Sequence, residues 1–253
     1  MINWKNELGV IRPEFGAGVK AFFTERLGGV SSGPWGGVDG IMGLNVGIRV
    51  GDNSSCVRMN RSIVADLCPS EPRWMTQVHG IAVVNAEDVT DESVQADAQI
   101  TTQPETVCVV QVADCLPVLL ADQQGRAVHA GWKSLVAGVI EASVAAMRDK
   151  VPDCKLKAWL GPRIGFDDFE VGTEVADVFR TNYPEVADGI KPKDEKFCVD
   201  LAAYAKAALN KVGVEDIEDC ALSTVTDDAQ RFFSYRRDGE QTGRHAAVIW
   251  IEK

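Results

Sequence analysis

Short runs of β-branched and apolar residues, separated by turn-forming residues, set the main limit on what this chain can fold into. Such runs predict strands, and they lie at residues 19–24, 73–78, 81–86, 96–101, 106–113, 117–121, 126–130, 155–160, 221–225, 231–235 and 244–251. Helical periodicity is found at residues 54–67, 134–148, 174–181 and 201–212. Strands that come in runs, with a few helices and no regular βαβ alternation, predict an α+β fold with more than one layer.

Nothing in the sequence marks a domain boundary. The 253 residues contain no internal repeat, low-complexity tract or Ser/Gly linker. The glycine-rich segment 28–51 predicts long loops, because the backbone entropy of glycine opposes regular structure. We therefore expect a single domain spanning residues 1–253.

Composition excludes several classes of protein. The 26 basic and 37 acidic residues give a net charge of −11, which repels nucleic-acid phosphates. No run approaches the roughly 20 apolar residues that cross a bilayer, and the first ten residues lack the apolar core of a signal peptide. We expect a cytoplasmic protein that binds neither nucleic acid nor membrane, with its seven cysteines reduced and no C-x-x-C pair among them.

Three short stretches each place a potential metal ligand near the end of a predicted strand. They are TQVHG at 76–80, ADCLP at 113–117 and VHAGWK at 128–133, and they carry His79, Cys115 and His129. Two imidazoles and one thiolate suit zinc, and three protein ligands leave a fourth position for water or substrate. Asp97 and Asp114 are candidates for orienting the imidazoles.

Spacing alone does not establish this metal site. The gaps of 36 and 14 residues between the three ligands match no short metal motif, and a lone cysteine in an apolar run is usually a core residue. The third histidine, His245, lies in the apolar run 246–251 and is expected to be a hydrogen-bonded core or edge residue.

A set of motifs in order along the chain resembles the YfiH-type family, which includes the human laccase-domain protein. The motifs are TERLGGVS at 24–31, LNVG at 44–47, GDN at 51–53, NR at 60–61, TQVHG, ADCLPV, VHAGW, GPRIG at 161–165, FEVG at 169–172, and FFSYRRD at 232–238 followed by TGR at 242–244. The resemblance covers nearly the whole chain.

This resemblance implies a fold, a metal site and an activity. The family fold is a single α+β domain in four α-β-β-α layers with mixed β-sheets. Its zinc ligands correspond to His79, Cys115 and His129, with copper possible at the same site. Its members are purine nucleoside enzymes, credited with phosphorolysis of adenosine, inosine and methylthioadenosine and with hydrolytic deamination of adenosine. The implied partners are small molecules, a purine nucleoside and phosphate, and the family favours a monomer.

The same motifs carry the candidate substrate contacts. The cationic ones are Arg61, Lys133, Arg236, Arg237 and Arg244, because arginine binds phosphate through two donors at once; the polar ones are Asn45, Gln77 and Tyr235. The sequence departs from the family at Lys133, where arginine is usual, so that a two-pronged donor becomes a point donor.

Several alternative functions remain open at this stage. Some family members are credited with peptidoglycan editing, which removes serine from a UDP-N-acetylmuramic acid precursor. Cys115 could instead be the nucleophile of a metal-free hydrolase with His129 or His79 as its base, or the chain could be a non-catalytic zinc-binding protein. A multicopper oxidase is excluded, because its copper centres draw on roughly ten histidines and the chain has three.

Overall fold

The computed structural model describes residues 8–16, 18–132 and 137–253 of the chain. Lys133 and the first residues of the helix predicted at 134–148 therefore lie outside the described residues. Within the described ranges, no helix has the length and apolar character needed to cross a membrane.

The first sheet has four antiparallel strands, and the strand nearest the end of the chain lies inside it. Its order is β1 (Val10–Ile11), β2 (Val19–Thr24), β14 (His245–Ile251) and β6 (Cys108–Val112). All seven residues of β14 are buried. A strand that is covered on both faces reads as a continuous apolar run, as predicted for residues 244–251.

The second sheet is mixed and has six strands. Its order is β13 (Asp216–Asp219), β9 (Leu156–Leu160), β7 (Pro117–Asp122), β8 (Val128–Trp132), β5 (Ala98–Thr101) and β4 (Val83–Asn85). The two outer pairs are parallel and the inner pairs are antiparallel. Six strands in one twisted sheet give the broad surface on which the helices described next are packed.

Helices and shorter strands complete the described structure. The α-helices are α1 (Ser54–Ala65), α2 (Val139–Lys150), α3 (Thr173–Asn182), α4 (Leu201–Lys211) and the short α5 (Tyr235–Asp238). The remaining strands are β3 (Leu27–Ser31) and an antiparallel sheet of β10 (Glu170–Val171), β12 (Lys196–Val199) and β11 (Ile190–Lys193). Single 3-10 turns lie at Gly33–Trp35, Ala86–Asp88 and Ala187–Gly189.

Two helices begin at side-chain caps of residue types that favour helix N-termini. The Asn53 side chain accepts a hydrogen bond from the Ser55 backbone N–H at 2.8 Å, and Asp200 accepts from the N–H groups of the first turn of α4. Gly213 follows α4 with a φ of +73°, the left-handed conformation that lets glycine end a helix.

Alternating residues of the strands divide the core into layers. Neighbouring strand residues point to opposite faces of a sheet. Leu119 of β7 packs between the two large sheets in the same cluster as Ile249 of β14, whereas Leu120 packs on the other face in the same cluster as Met147 of α2. The six-stranded sheet therefore lies between the four-stranded sheet and a layer of helices.

The outer face of the four-stranded sheet is covered in turn by α1. Val248 of β14 belongs to a third cluster that includes Val64 of α1. The layers thus run from α1 through the four-stranded sheet and the six-stranded sheet to α2 and α4. This order confirms the predicted α+β fold in four α-β-β-α layers with mixed sheets.

Three predicted strands are wrong. Residues 73–78 contribute only a bridge from Thr76 to Gln95, residues 221–225 only a bridge from Arg163 to Ser223, and residues 231–235 lead into α5. Trp74, Met75, Phe232 and Phe233 are buried from loops, so that burial rather than strand pairing explains the first and third of these runs. Leu222 and Val225 of the second run are only partly buried. Strand β13 was not predicted, because its Asp-Ile-Glu-Asp sequence has the charges of an exposed edge strand.

The glycine-rich segment 28–51 is loop, as predicted, apart from β3 and one 3-10 turn, and one side chain of α1 organises it. The buried Asn60 amide donates to Ser31 Oγ at 2.8 Å and to the Asn45 carbonyl at 2.8 Å, and its Oδ1 accepts from the Val30 N–H. A Cβ on Gly29 would lie 2.4 Å from Asn60 Oδ1. Glycine is therefore needed here for close approach to α1.

Candidate functional site

One cavity of about 840 Å³ lies where the ends of the six-stranded sheet meet the covering helices. Loops at 47–50, 75–79 and 111–116 contribute to its wall, together with residues of β8, α2, α3, α4 and α5. His79, Cys115 and His129 all line it. The structure therefore brings the three proposed metal ligands to the same cavity, whose volume is typical of a small-molecule site.

His79 lies on a loop that is wrapped around a buried carboxylate. The loop carries His79 at a φ of +63°, a conformation that is costly for a residue with a Cβ. Asp97, which is fully buried, accepts hydrogen bonds from the backbone N–H groups of Val78, His79 and Gly80 at 3.0, 2.6 and 2.7 Å. Asp97 thus holds the backbone of this loop, rather than acting through an imidazole as the sequence suggested.

Cys115 follows a second strained residue in the turn between β6 and β7. Asp114 has a φ of +75°, and its carboxylate accepts hydrogen bonds from Thr224 Oγ1 at 2.5 Å and from the Arg236 N–H at 2.6 Å. Its carbonyl accepts from the Ile164 N–H at 2.8 Å. Asp114 therefore ties the Cys115 turn to α5, and no hydrogen bond to an imidazole is recorded for it among the described residues.

His129 is the most deeply placed of the three. Its residue is 1% exposed, and its register partners are Ile100 on β5 and Leu120 on β7. Burial lowers the pKa of His129 to about 3, because a low-dielectric surrounding disfavours the imidazolium. The ring is therefore neutral at physiological pH. Neither of its nitrogens has a hydrogen-bond partner among the described residues.

The donor set fits a metal ion, although it is not assembled around one. Within residues 8–16, 18–132 and 137–253, no three His, Cys, Asp or Glu side chains are grouped closely enough to hold a metal. A buried polar atom without a partner costs about 1–3 kcal/mol, and His129 carries two such nitrogens. Coordination through one of them would remove that cost, provided that His79 and Cys115 turned towards His129.

Two of the predicted arginines line the cavity. Arg244 donates from Nη1 to the carbonyls of Thr242 and Gly243 at 3.0 and 2.9 Å, and burial lowers its pKa against the opposing influence of Cys115 and Asp114. Arg236 donates from both Nη atoms to backbone carbonyls of the loop before α3. Arg237 is not among the lining residues and bonds the carbonyls of loops 224–225 and 232.

Gln77 and Tyr235 also line the cavity. The Gln77 amide is paired with the backbone of Gln111, donating from Nε2 at 3.0 Å and accepting at Oε1 at 2.7 Å. Tyr235 is 47% exposed at the start of α5. Gln77 is therefore held rigidly in the wall, while Tyr235 lies at the rim.

Asn45 and Arg61, both predicted as substrate contacts, are not brought to this cavity. Asn45 is fully buried and its amide bonds Gly47, Asp52 and Arg244. Arg61 stacks on Trp74 at 4.3 Å and pairs through both Nη atoms with Glu92. Hydrogen bonds and an ion pair within the protein occupy the polar groups of both side chains, so these two residues stabilise the fold and do not line the cavity.

The structure adds lining residues that sequence reasoning missed. Arg49 and Glu92 supply charge, and Phe169 and Phe179 supply aromatic surface. Arg49 lies between the two quoted motifs at 44–47 and 51–53, so an arginine enclosed by glycine-containing motifs was a usable signal. Phe169 opens the quoted motif at 169–172, whereas Glu92 and Phe179 carry no comparable pattern.

His245 behaves as the sequence predicted. It is fully buried, its Nε2 accepts a hydrogen bond from the Phe233 N–H at 2.7 Å, and its ring packs on Phe23 at 5.0 Å. None of the seven cysteines, all of which lie in the described ranges, forms a disulfide.

The chain is similar to known proteins over almost its whole length. Residues 20–252 match a family model described as multi-copper polyphenol oxidoreductase laccase. A Shigella flexneri protein named purine nucleoside phosphorylase YfiH is 41% identical over 239 residues, which cover 92% of this chain and 94% of that protein. Purine nucleoside phosphorylase PA4543 of Pseudomonas aeruginosa is 38% identical over 241 residues, covering 93% and 95%.

A solved structure has the same architecture. The crystal structure of Neisseria meningitidis protein NMB0706 matches with a TM-score of 0.88 and 39% identity, covering 96% of this chain and 99% of that one. The motifs quoted from the sequence, the four-layer fold and these similarities agree. The chain belongs to the family described as multi-copper polyphenol oxidoreductase laccase, to which the YfiH proteins are related.

Proposed function

We propose that this chain is a metal-dependent purine nucleoside enzyme, active in phosphorolysis of adenosine, inosine and methylthioadenosine and in hydrolytic deamination of adenosine. The names of the relatives from Shigella flexneri and Pseudomonas aeruginosa support the substrate class. The observation that carries the proposal is the meeting of His79, Cys115 and His129 in one cavity that also presents arginine side chains.

The cavity wall has an apolar part that suits the purine ring of a nucleoside and a cationic part that suits its polar end. Apolar side chains, among them Leu116, Ile164, Phe169 and Phe179, offer a surface on which a flat purine ring can pack. Arg236 and Arg244 provide cationic groups for the polar end of the substrate and for an anionic co-substrate. A cavity of about 840 Å³ has room for a nucleoside together with phosphate.

His79, Cys115 and His129 are the residues that would hold the metal. Zinc fits two nitrogens and one sulfur, and copper could take the same ligands because such ligands bind it more tightly. When bound, zinc supplies Lewis-acid activation of water and of electronegative substrate atoms. Asp97 and Asp114 hold the loops that carry His79 and Cys115, while the neutral His129 keeps a lone pair available for coordination.

The two reactions place different demands on the cavity. In phosphorolysis a phosphate oxygen forms a bond to C1′ of the ribose, the bond from C1′ to the purine nitrogen breaks, and the purine leaves with the electron pair and takes a proton. In deamination water adds at C6 of adenosine and ammonia leaves, giving inosine. The first reaction needs a cationic residue near the phosphate, a role that Arg244 can fill. The second needs an activated water and proton transfer, and a metal held by the three ligands would supply the activation.

Product analysis on metal-assayed protein tests this proposal. Adenosine and inosine are supplied with and without phosphate, and adenine, hypoxanthine, ribose 1-phosphate and ammonia are measured. We expect both activities, with activity and zinc content lost together in H79A, C115A and H129A. Cys198→Ala, which removes a buried thiol away from the cavity, is the matched control and should keep both. Unchanged zinc in all three variants would refute the metal assignment.

The same preparation separates the alternatives. Chelation that spares turnover, together with alkylation that abolishes it, would replace the metal enzyme with a hydrolase whose nucleophile is Cys115; the nearby charge of Arg244 would favour the thiolate in that case. Release of serine from UDP-N-acetylmuramoyl-serine without purine turnover would assign peptidoglycan editing. Chelation that lowers the melting temperature of a protein without turnover would leave a zinc-binding role only.

The oxidase named in the family description does not fit the residues of this chain. Of its three histidines, His245 is enclosed by aromatic rings and uses Nε2 to accept the Phe233 N–H. Two histidines remain, which are too few for a mononuclear copper and a trinuclear cluster.

A further inference from the structure

We propose that Arg49 and Arg244 together form the subsite that binds a phosphate group in this cavity. The inference deepens the proposed function and rests on it, because phosphorolysis requires phosphate beside the nucleoside. Neither the motifs nor the relatives' names single out this pair, and Arg49 was absent from the residues predicted from the sequence.

Arg49 is a lining arginine whose donors are not used by any residue that the structure describes. It is exposed at the cavity, and it makes no hydrogen bond, ion pair or ring contact with any residue in the described ranges. In Arg236, by contrast, both Nη atoms donate hydrogen bonds to backbone carbonyls. The group best able to bind an incoming anion is an exposed guanidinium on a cavity wall whose N–H donors have no hydrogen-bond partner among the described residues.

Arg244 offers a second set of donors. Only its Nη1 is used, on the carbonyls of Thr242 and Gly243, and its Nε and Nη2 donate no hydrogen bond to the part of the chain that the structure describes. The side chain is largely withdrawn from water, and burial lowers its pKa. A partly desolvated guanidinium gains more from an anionic ligand than an exposed one does, because the local dielectric is lower.

The backbone segments that carry the two arginines lie next to each other. Gly47, two residues before Arg49, lies so close to Arg244 that a Cβ on Gly47 would be 2.7 Å from Arg244 Cγ. Asn45 joins both segments, because its Oδ1 accepts hydrogen bonds from the Gly47 N–H at 2.8 Å and from the Arg244 N–H at 2.9 Å. One buried amide therefore fixes the segments that carry both cations.

The acidic groups near these arginines are already engaged. Two carboxylates line the described wall of the cavity, Glu92 and Asp114. Glu92 is paired with both Nη atoms of Arg61, and Asp114 accepts from Thr224 and from the Arg236 N–H. Arg49 and Arg244 therefore leave a local excess of positive charge in a protein whose net charge is −11.

A phosphate group matches this arrangement chemically. It carries negative charge on several oxygens arranged around one atom, so that two guanidinium groups can each donate to different oxygens. The phosphate could be free, as a co-substrate, or attached to a nucleoside 5′-monophosphate, and both present the same oxygens to the pair.

The test measures binding and turnover separately on zinc-loaded protein. Inorganic phosphate and adenosine 5′-monophosphate are each titrated calorimetrically into wild type, R49Q, R49K and R58Q. Arg58, an exposed arginine of α1 outside the cavity lining, is the matched control. The KM values for phosphate and for adenosine are then measured in phosphorolysis.

We expect R49Q to weaken binding of at least one of the two ligands tenfold or more, with partial recovery in R49K and none of this effect in R58Q. In turnover, the KM for phosphate should rise about tenfold in R49Q while the KM for adenosine changes less than twofold. Loss for the monophosphate alone would support the pair as a site for a substrate-borne phosphate.

Two outcomes overturn the inference. One is that wild type binds neither ligand, and the other is that R49Q binds both as wild type does. The proposed function fails differently, by absence of purine turnover in wild type. Phosphate binding that depends on Arg49 in a protein without turnover would keep the subsite and discard the nucleoside reaction.

Discussion

Replacing Asp97 with asparagine tests whether the carboxylate under the His79 loop positions a metal ligand. Oδ1 of Asp97 accepts from the N–H groups of Val78 and His79, and Oδ2 accepts from Gly80. The asparagine oxygen can keep two of these bonds in a neutral form, but its NH2 group faces the third N–H. The negative charge that attracts all three donors is lost.

The magnitude follows from these three bonds. A hydrogen bond to a charged group contributes about 1.5–3 kcal/mol and a neutral one about 0.5–1.5 kcal/mol, so a rigid loop would lose about 3–5 kcal/mol. Val78 is 45% exposed and water can reach the freed donors, which reduces the expected loss of unfolding free energy to about 2–3 kcal/mol. The left-handed backbone at His79 then relaxes, and the imidazole moves away from its position.

We therefore expect D97N to lower zinc affinity 10–100-fold, the range typical of groups that orient a metal ligand. The assay is competition with a chromogenic chelator, together with urea unfolding of the metal-free protein. Asp122→Asn is the matched control, because Asp122 is also fully buried and accepts from Arg126 and Lys155 at the other end of β7. It should cost comparable stability and leave zinc affinity unchanged. Equal zinc affinities in D97N and wild type would refute the reasoning.

Three further predictions concern other parts of the fold. Burial lowers the pKa of His245 to about 3, so that near pH 6.5 the unfolded chain binds a proton and the folded chain does not. The free energy of unfolding therefore falls as the pH drops below 6.5, and between pH 7 and pH 5 urea unfolding should show a loss about 2 kcal/mol smaller in H245Q than in wild type. Equal losses in the two proteins would contradict this. Gly47→Ala should push Arg244 aside and raise the KM for phosphate with a stability loss of about 1–3 kcal/mol; an unaltered KM would show that the contact is tolerated. Leu119→Ala, between the two sheets, should cost about 2–5 kcal/mol in urea unfolding, whereas Val38→Ala on the surface should change it by less than about 0.5 kcal/mol.

The fold was largely predictable where one physical cause acts alone. Central strands such as β7 and β14 are apolar because both faces are buried, and α4 carries both of its end signals in Asp200 and Gly213. Prediction failed where two causes give the same pattern. Residues 231–235 are apolar because the Phe232 and Phe233 side chains are buried from a loop, and no strand pairing is involved.

The candidate site was predictable at the level of residue type and less so at the level of role. His79, Cys115 and His129 line one cavity, as proposed, but from different settings: Cys115 lies in the turn between β6 and β7, His129 lies within β8, and His79 lies on a loop held by Asp97. Asn45 and Arg61 have the chemistry of ligand contacts but bond other residues of the protein. Arg49 has the same chemistry and has no partner in the described part of the chain. Contacts between residues far apart in the chain decide which polar side chains are hydrogen-bonded within the protein. The local sequence does not reveal these contacts.

The position of β14 also has a consequence for how the protein is made. β2 and β6 are both synthesised before residue 113, yet β14, the strand that joins them, begins only at residue 245. Until then each exposes an unpaired edge that can recruit other chains. We expect this sheet to assemble only after translation of residue 251, so that a nascent or truncated chain lacking β14 depends on chaperones to avoid aggregation.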